Sequence, residues 1–209
     1  KISIQLNDTH PVLAIPELMR ILMDDYGYTW DKAWSMTTQI MNYTNHTVMA
    51  EALEKWPETA VQKLLPRIYM IIQEIDHRFR AMVTRDFSQE ANFVAQVSII
   101  RDGLIHMANL AVVGSHRVNG VARIHTEILK TSVMRDLYTI FPDKFQNKTN
   151  GITHRRWLLY SNPQLTELLE RTIGDDFKQN PESLVQLLEN IDEPDLQEKF
   201  LQVKQTRKD

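Results

Sequence analysis

A helix-rich α/β fold is predicted by three features of the sequence: apolar residues recur at helical spacing, glycine is scarce, and a few short β-favouring runs interrupt the helices. Six glycines in 209 residues fall well below the roughly 7% of average usage, which favours long helices over a turn-rich β architecture. Hydrophobic residues at 43% and charged residues at 24% are ordinary for a globular chain with a real core.

The elements follow in order. Residues 2–6 alternate apolar and polar, as a short strand does. Asn7, Asp8 and Thr9 offer caps for the next helix, and Pro11 suits a first helical turn. Ile15, Leu18, Met19 and Leu22 keep helical spacing over 12–25, as do Ala33, Trp34, Thr37, Ile40 and Met41 over 31–43. Residues 43–48 then break the pattern with β-favouring types. Helices are expected at 58–65 and 66–83, the second carrying an apolar stripe of Ile68, Ile71, Ile72, Ile75 and Phe79. The stretch 87–103 shows no clear period. Residues 107–114 are nearly all apolar and read as a strand buried on both faces of a parallel sheet. A turn at 115–120 and a helix over 121–131 follow. Residues 145–149 read as a strand, Asn150-Gly151 as a turn, and Thr153 as the N-cap of a helix through Trp157 and Leu159. Helices at 163–171 and 195–208 complete the chain. Periodicity lapses over 143–150, which is the natural domain boundary.

Bulk properties exclude several classes. A net charge of −3 gives no general attraction to nucleic acid or an anionic membrane. The absence of cysteine excludes disulfides and thiolate metal sites. No apolar run approaches the ~18 residues of a membrane span, and the N-terminus has no signal-peptide pattern; a cytoplasmic protein is expected. The chain opens at Lys1 and enters a strand almost at once, as a segment cut from a longer protein would.

Three polar clusters sit where strands or helices end: Asn7-Asp8-Thr9-His10, Tyr43-Thr44-Asn45-His46-Thr47 and Asn147-Lys148-Thr149-Asn150-Gly151. Ligands of α/β folds bind at the carboxyl ends of strands. Amides, hydroxyls and imidazoles suit a ligand made mostly of hydroxyl groups, because they donate and accept without imposing net charge. The same residue types also favour caps and turns, which on spacing alone is the commoner use. Lys148, Arg155 and Arg156 flank an expected helix start and offer an anion environment, or merely a solvated basic face. His106, His116 and His125 do not share a helix face, and no HExxH accompanies them, so no metal site is expected. Asp8 and Glu51 are candidates for an acid–base pair that the sequence does not show to meet. There is no Walker loop, GxGxxG or GxSxG. Physical reading thus reaches a soluble α/β protein with sugar-friendly polar turns, and stops there.

The clusters in context resemble the glycogen/starch (α-1,4-glucan) phosphorylase family. Ile4-Gln5-Leu6-Asn7-Asp8-Thr9-His10-Pro11 is similar to that family's NDTHP segment, and residues 43–48 with Glu51-Ala52-Leu53-Glu54-Lys55-Trp56-Pro57 to its YTNHT…EALE(R/K)WP stretch. Gly114-Ser115-His116-Arg117-Val118-Asn119-Gly120-Val121-Ala122 is similar to GSHxVNGVA, and Lys144 through Thr153 with Arg155-Arg156-Trp157 gives a fourth match. The resemblance spans the chain and weakens after Arg171.

It implies a partial GT-B architecture of two Rossmann-like halves, with residues 1–146 ending the first domain and 147–209 opening the second. The implied reaction is phosphorolysis of an α-1,4-glucan (glycogen, starch or maltodextrin) by inorganic phosphate to α-glucose 1-phosphate, with retention. Pyridoxal phosphate serves through its phosphate as a proton shuttle. By the resemblance His46 is the catalytic residue: it hydrogen-bonds the glucosyl 6-hydroxyl, and its carbonyl faces developing positive charge on the ring. Asn150 holds the same hydroxyl from the other domain, Val121 lines the pocket, and Trp157 packs near the cofactor. His10, Asp8 and Glu51 line an adjoining channel, Glu51 on a mobile loop. His154 stands where many members have proline, and Gln73 where animal enzymes place an aromatic residue at a polysaccharide storage site. The resemblance also implies that the cofactor lysine and phosphate-binding segment lie outside this chain, that the chain alone is inactive, and that the parent is a homodimer. The alternative is a non-catalytic carbohydrate-binding or interaction module.

Overall fold

The computed structural model describes residues 2–87 and 90–209. These form two units, residues 1–150 and 151–209. The first is a helix-rich α/β unit built on a parallel sheet of β1 (Ile4–Asn7), β2 (Met41–Thr44), β6 (Val118–Gly120) and β7 (Phe145–Asn147), in that order. Every neighbouring pair is parallel, so each connection must carry the chain back through helices to the starting edge. Register aligns one apolar row across the sheet: Leu6 pairs Tyr43, Tyr43 pairs Val118 and Val118 pairs Phe145. All four are buried.

The crossovers carry most of the core. The first is α1 (Ala14–Arg20), continued by a π-type turn at Ile21–Asp25, and α2 (Trp30–Ile40). Ile15 and Met19 have no exposed surface. No side chain caps α1, and its helical geometry starts at Ala14 rather than directly after Asn7-Asp8-Thr9. α2 ends at Ile40, because Met41 and Tyr43 leave the helix to pair with β1; ladder formation overrides the helical spacing that extended the expected helix to residue 43.

The longer crossover holds β3 (Lys55–Pro57), α3 (Glu58–Leu64), α4 (Pro66–Asp86), α5 (Ala91–Val97), β4 (Ile100–Arg101), β5 (Leu104–His106) and α6 (Met107–Gly114). The apolar stripe of α4 is buried at Ile68, Ile71, Ile72, Ile75 and Phe79, and Pro66 opens the helix where its missing N–H has no partner to lose. β3, β5 and β4 form a second, antiparallel sheet. Its β4–β5 hairpin turns on Asp102 and Gly103, both at positive φ (55° and 70°), as a two-residue primed turn requires. The Asp76 carboxylate of α4 accepts from Ile99 N (2.7 Å) and Ile100 N (3.3 Å), fastening helix to hairpin.

The run 107–114 corrects the sequence reading: it is the helix α6, not a strand. Seven of its eight residues are buried, so no polar face remains to reveal a 3.6 period. Its exception, Asn109, donates to Val97 O (3.0 Å) and Ser98 O (2.9 Å) at the end of α5. Gly114 is required by contact, since a Cβ there would stand 2.7 Å from Ile15. The strand of this region is instead β6, inside the stretch expected to be a turn.

α7 (Arg123–Ile128) with a π-type turn at Leu129–Val133, and then α8 (Arg135–Ile140), lead to β7. In the second unit a π-type turn at Arg155–Tyr160 precedes α9 (Pro163–Ile173) and α10 (Pro194–Lys208), with 3₁₀ segments Asp176–Lys178 and Pro181–Glu189 between them. Thr153 does not act as a side-chain N-cap; its carbonyl accepts from Trp157 N at 3.0 Å. The cap that forms is Asn162, whose side chain accepts from Leu165 N (3.2 Å) before Pro163. No helix of the described residues is long and apolar enough to cross a membrane.

His106 at the end of β5 is 8% exposed. Burial, then the nearby charges of Arg101 and Lys55, hold it down to about 4 from its ordinary 6.5. Its Nδ1 accepts from Arg101 at 3.4 Å, while Nε2 has no partner. The unfolded chain takes up a proton between those two values and the folded chain refuses it. The stability this contributes is complete above about 6.5 and is lost as pH falls toward about 4. Urea midpoints measured from about pH 7 down to about pH 4.5 should therefore drop more steeply for the native chain than for His106→Leu. Parallel slopes for the two proteins would place the histidine outside this linkage.

Candidate functional site

The parallel strands end at Asn7, Thr44, Gly120 and Asn147, and all four ends lie on one edge. The three polar clusters of the sequence, together with Val121, therefore gather there. Asp8 takes the left-handed conformation (φ 63°), which a non-glycine residue adopts only under local constraint. Its N–H donates to Thr44 O at 2.9 Å and its carboxylate accepts from Thr9 N at 2.7 Å. The chain is thus turned sharply off β1, and His10 comes to lie exposed with Nδ1 3.2 Å from Glu54 Oε2. Glu54 also accepts from the Thr9 hydroxyl at 2.5 Å.

His46, exposed, places Nε2 2.6 Å from Asn7 Oδ1. An amide oxygen only accepts, so in the neutral ring that nitrogen carries the proton and Nδ1 keeps a lone pair for an incoming hydroxyl. The flanking Asn45 is fully buried. It donates to Tyr43 Oη (2.9 Å), and its Oδ1 accepts from Thr47 N (2.9 Å) and His125 Nε2 (3.1 Å). Burial pushes the Tyr43 phenol well above its ordinary range, so it stays neutral.

Val121 donates from N to His125 Nδ1 (3.0 Å), and its carbonyl accepts from Asn150 N (2.9 Å). Lys148 N donates to Gly120 O at 3.1 Å. The loop after β7 therefore stays fixed to the loop after β6, and His46, Val121 and Asn150 share one edge of the first unit. Glu51 is exposed on the 3₁₀ turn Ala50–Ala52. The carboxylate that meets the His10 segment is Glu54 rather than Glu51.

Arg155, Arg156 and Trp157 belong to the second unit, all exposed, Trp157 at 69%. The other two histidines of the metal question are dispersed: His106 lies in the antiparallel sheet, and His116 precedes β6, where its N–H donates to Met41 O. Sequence reading placed Asn45 in a polar cluster but missed Glu54 and His125 as members of the edge. Asn45 and Glu54 stood inside motifs already quoted. His125 had only a spacing of four from Val121 to offer, a helix-start distance that becomes a signal once α7 is known to begin at Arg123.

This arrangement defines a parallel α/β unit with amides, hydroxyls and imidazoles gathered at the carboxyl edge. A family profile described as carbohydrate phosphorylase matches residues 1–209, and the chain belongs to that family. It is 48% identical over 208 residues to a glycogen phosphorylase of Bacillus subtilis (strain 168), covering all of this chain and 26% of that protein. It is 49% identical over 211 residues to the human muscle form and 50% to the rat brain form, covering all of this chain and 25% of each. The chain thus spans about a quarter of the length of these curated relatives.

Gly120 ends β6 against α7. A Cβ there would stand 2.1 Å from Thr126 Oγ1 and 2.9 Å from Thr126 Cα. Thr126 is buried and held by its hydroxyl to Ala122 O (2.9 Å) and Asn147 Oδ1 (3.0 Å), so it cannot swing aside. Gly120→Ala should cost roughly 1–3 kcal/mol or more in urea unfolding. An unchanged midpoint would mean that α7 yields freely.

Proposed function

We propose that this chain is a segment of a glucan phosphorylase, and that its sheet edge forms one wall of the pocket for the reacting glucosyl unit. The observation that carries the reading is that the loops bearing His46, Val121 and Asn150 share one edge, joined by Asn45 to His125, His125 to Val121 and Val121 to Asn150. The parent would phosphorolyse α-1,4-glucans to α-glucose 1-phosphate with retention, within a cytoplasmic homodimer of GT-B architecture. Its first domain would end close to residue 146 and its second open in the residues that follow. The names of the relatives support the substrate class.

In this reading the His46 Nδ1 lone pair and the Asn150 amide bind the 6-hydroxyl, and the His46 carbonyl faces charge developing on the sugar ring. Asn7 and Asn45 hold His46 in place, so that little reorganisation is needed as the charge forms. Asp8, His10 and Glu51 line the approach, and Glu54 orients His10. Pyridoxal phosphate, when bound, supplies a phosphate that moves the proton. Trp157 would offer it an exposed indole face. The one described lysine held below its ordinary range, Lys144, donates instead to Val112 O (2.8 Å) and Val113 O (2.9 Å). By the family resemblance, the cofactor lysine would come from outside this chain.

The alternative of a non-catalytic carbohydrate-binding module has the same polar edge but needs no positioned carbonyl. The chain alone should release no glucose 1-phosphate from glycogen and inorganic phosphate under either reading, so the full-length enzyme separates them. In the full-length enzyme, Asn150→Ala removes a hydrogen-bond partner of the 6-hydroxyl, a loss of about 1–3 kcal/mol if the bound sugar encloses the contact. Initial rates of glucose 1-phosphate release should then show kcat/KM lower by roughly ten- to a hundredfold. Wild-type rates in that variant would reduce Asn150 to a turn residue.

A further inference from the structure

We infer that His125 is the positioning residue that locks the two halves of the glucosyl pocket wall together, fixing both the His46 loop and the Val121–Asn150 contact through its two ring nitrogens. The inference rests on the reading of this edge as a glucosyl site, and adds to it a residue that touches no substrate.

The bond pattern fixes the tautomer. A main-chain N–H only donates, so Nδ1, which receives Val121 N at 3.0 Å, is the unprotonated nitrogen. Nε2 then carries the hydrogen and donates to Asn45 Oδ1 at 3.1 Å. Thr47 N, which only donates, bonds Asn45 Oδ1, and so orients the amide with its oxygen toward the imidazole and its nitrogen toward Tyr43 Oη. One ring thus joins residues eighty positions apart in the chain. On one side its bond ends at the amide that also holds Thr47 N, and His46 lies between those two residues. On the other it ends at the N–H of Val121, whose carbonyl holds Asn150 N.

The chemistry calls for an imidazole at this station. The ring accepts at one end and donates at the other, across a rigid span with few rotors to freeze. His125 lies in the first turn of α7, which is anchored independently by Thr126 to Ala122 O and Asn147 Oδ1. Removing the imidazole therefore leaves the helix tied down but frees Val121 N and leaves the buried Asn45 Oδ1 with Thr47 N alone. The consequence is a displaced 6-hydroxyl site, felt in catalysis more than in folding.

The test uses the full-length enzyme and a ratio that does not depend on how much protein is active. For wild type, His125→Ala and His125→Gln, kcat/KM is measured with an ordinary α-glucan donor and with one ending in a 6-deoxyglucosyl unit. His125→Ala should lower the ordinary kcat/KM and shrink the preference for the 6-hydroxyl about tenfold. His125→Gln, which keeps a donor able to reach Asn45, should recover part of that preference. Combining His125→Ala with Asn45→Ala should cost little beyond either alone, because both break one network. If His125→Ala lowers the rate but keeps the wild-type preference, the residue is merely structural and the inference falls. If wild type itself shows no preference for the 6-hydroxyl, the assignment of the edge fails instead, a result separable from the first.

Discussion

Register in the parallel sheet is the constraint on which everything else depends. Side chains alternate faces along a strand, so a one-residue slip would exchange every buried residue for its neighbour. Here the row Leu6, Tyr43, Val118 and Phe145 is apolar and buried, while the next row is Asn7, Thr44, Asn119 and Gln146. The apolar row fixes the register, and the polar row follows from it without further choice. Because the strands are parallel, the polar row and the loops beyond it share one edge. The hydrophobic core thereby places polar groups that contribute nothing to it.

Those groups are costly to bury unless they are paired. Asn45 is fully buried, yet its amide nitrogen and oxygen both have partners, and Thr126 is satisfied by two oxygens. The contrast lies close by. Asn119 Oδ1, in the same polar row, has no partner, and neither does Ser115 Oγ before β6. Satisfied groups cluster around the loops that hold His46 and Val121, where position matters most for the proposed chemistry. A network completed at that point resists small displacements, because moving any member strands another in low dielectric.

Much of this was legible before any coordinates. α4 showed itself through its apolar stripe, and β1 and β7 through short β-favouring runs beside polar turns, whereas most of β2 was read as the end of α2. α6 was illegible for a definite reason: a helix buried on nearly all sides loses the polar face that reveals its period. β6 was hidden for the opposite reason, since Asn119 and Gly120 are poor strand residues held in place only by ladders to β2 and β7. The Asp102-Gly103 hairpin was the clearest missed local signal, a primed-turn pair inside a stretch that showed no period. At the site, motifs exposed the residues that face outward, His46 and Asn150, but not the links behind them. Asn45 to His125 is a tertiary contact, and nothing in their local sequence requires it.

The opposite edge of the sheet is held by different physics. Lys144 precedes β7 and donates to Val112 O and Val113 O, the last exposed acceptors of α6, with its ammonium 4.1 Å from the centre of the Phe141 ring. Burial alone pushes this lysine down to about 7. Two carbonyls, the negative end of a helix and an aromatic face all act the other way and favour the charged form. A neutral amine would forfeit most of that attraction, so the cation is the state the surroundings are built for. The amino edge is thus closed by one charge on a helix end, whereas the carboxyl edge carries amides and imidazoles together with the carboxylates of Asp8 and Glu54. The charge that secures β7 stands at the far end of its strand from the loop carrying Asn150.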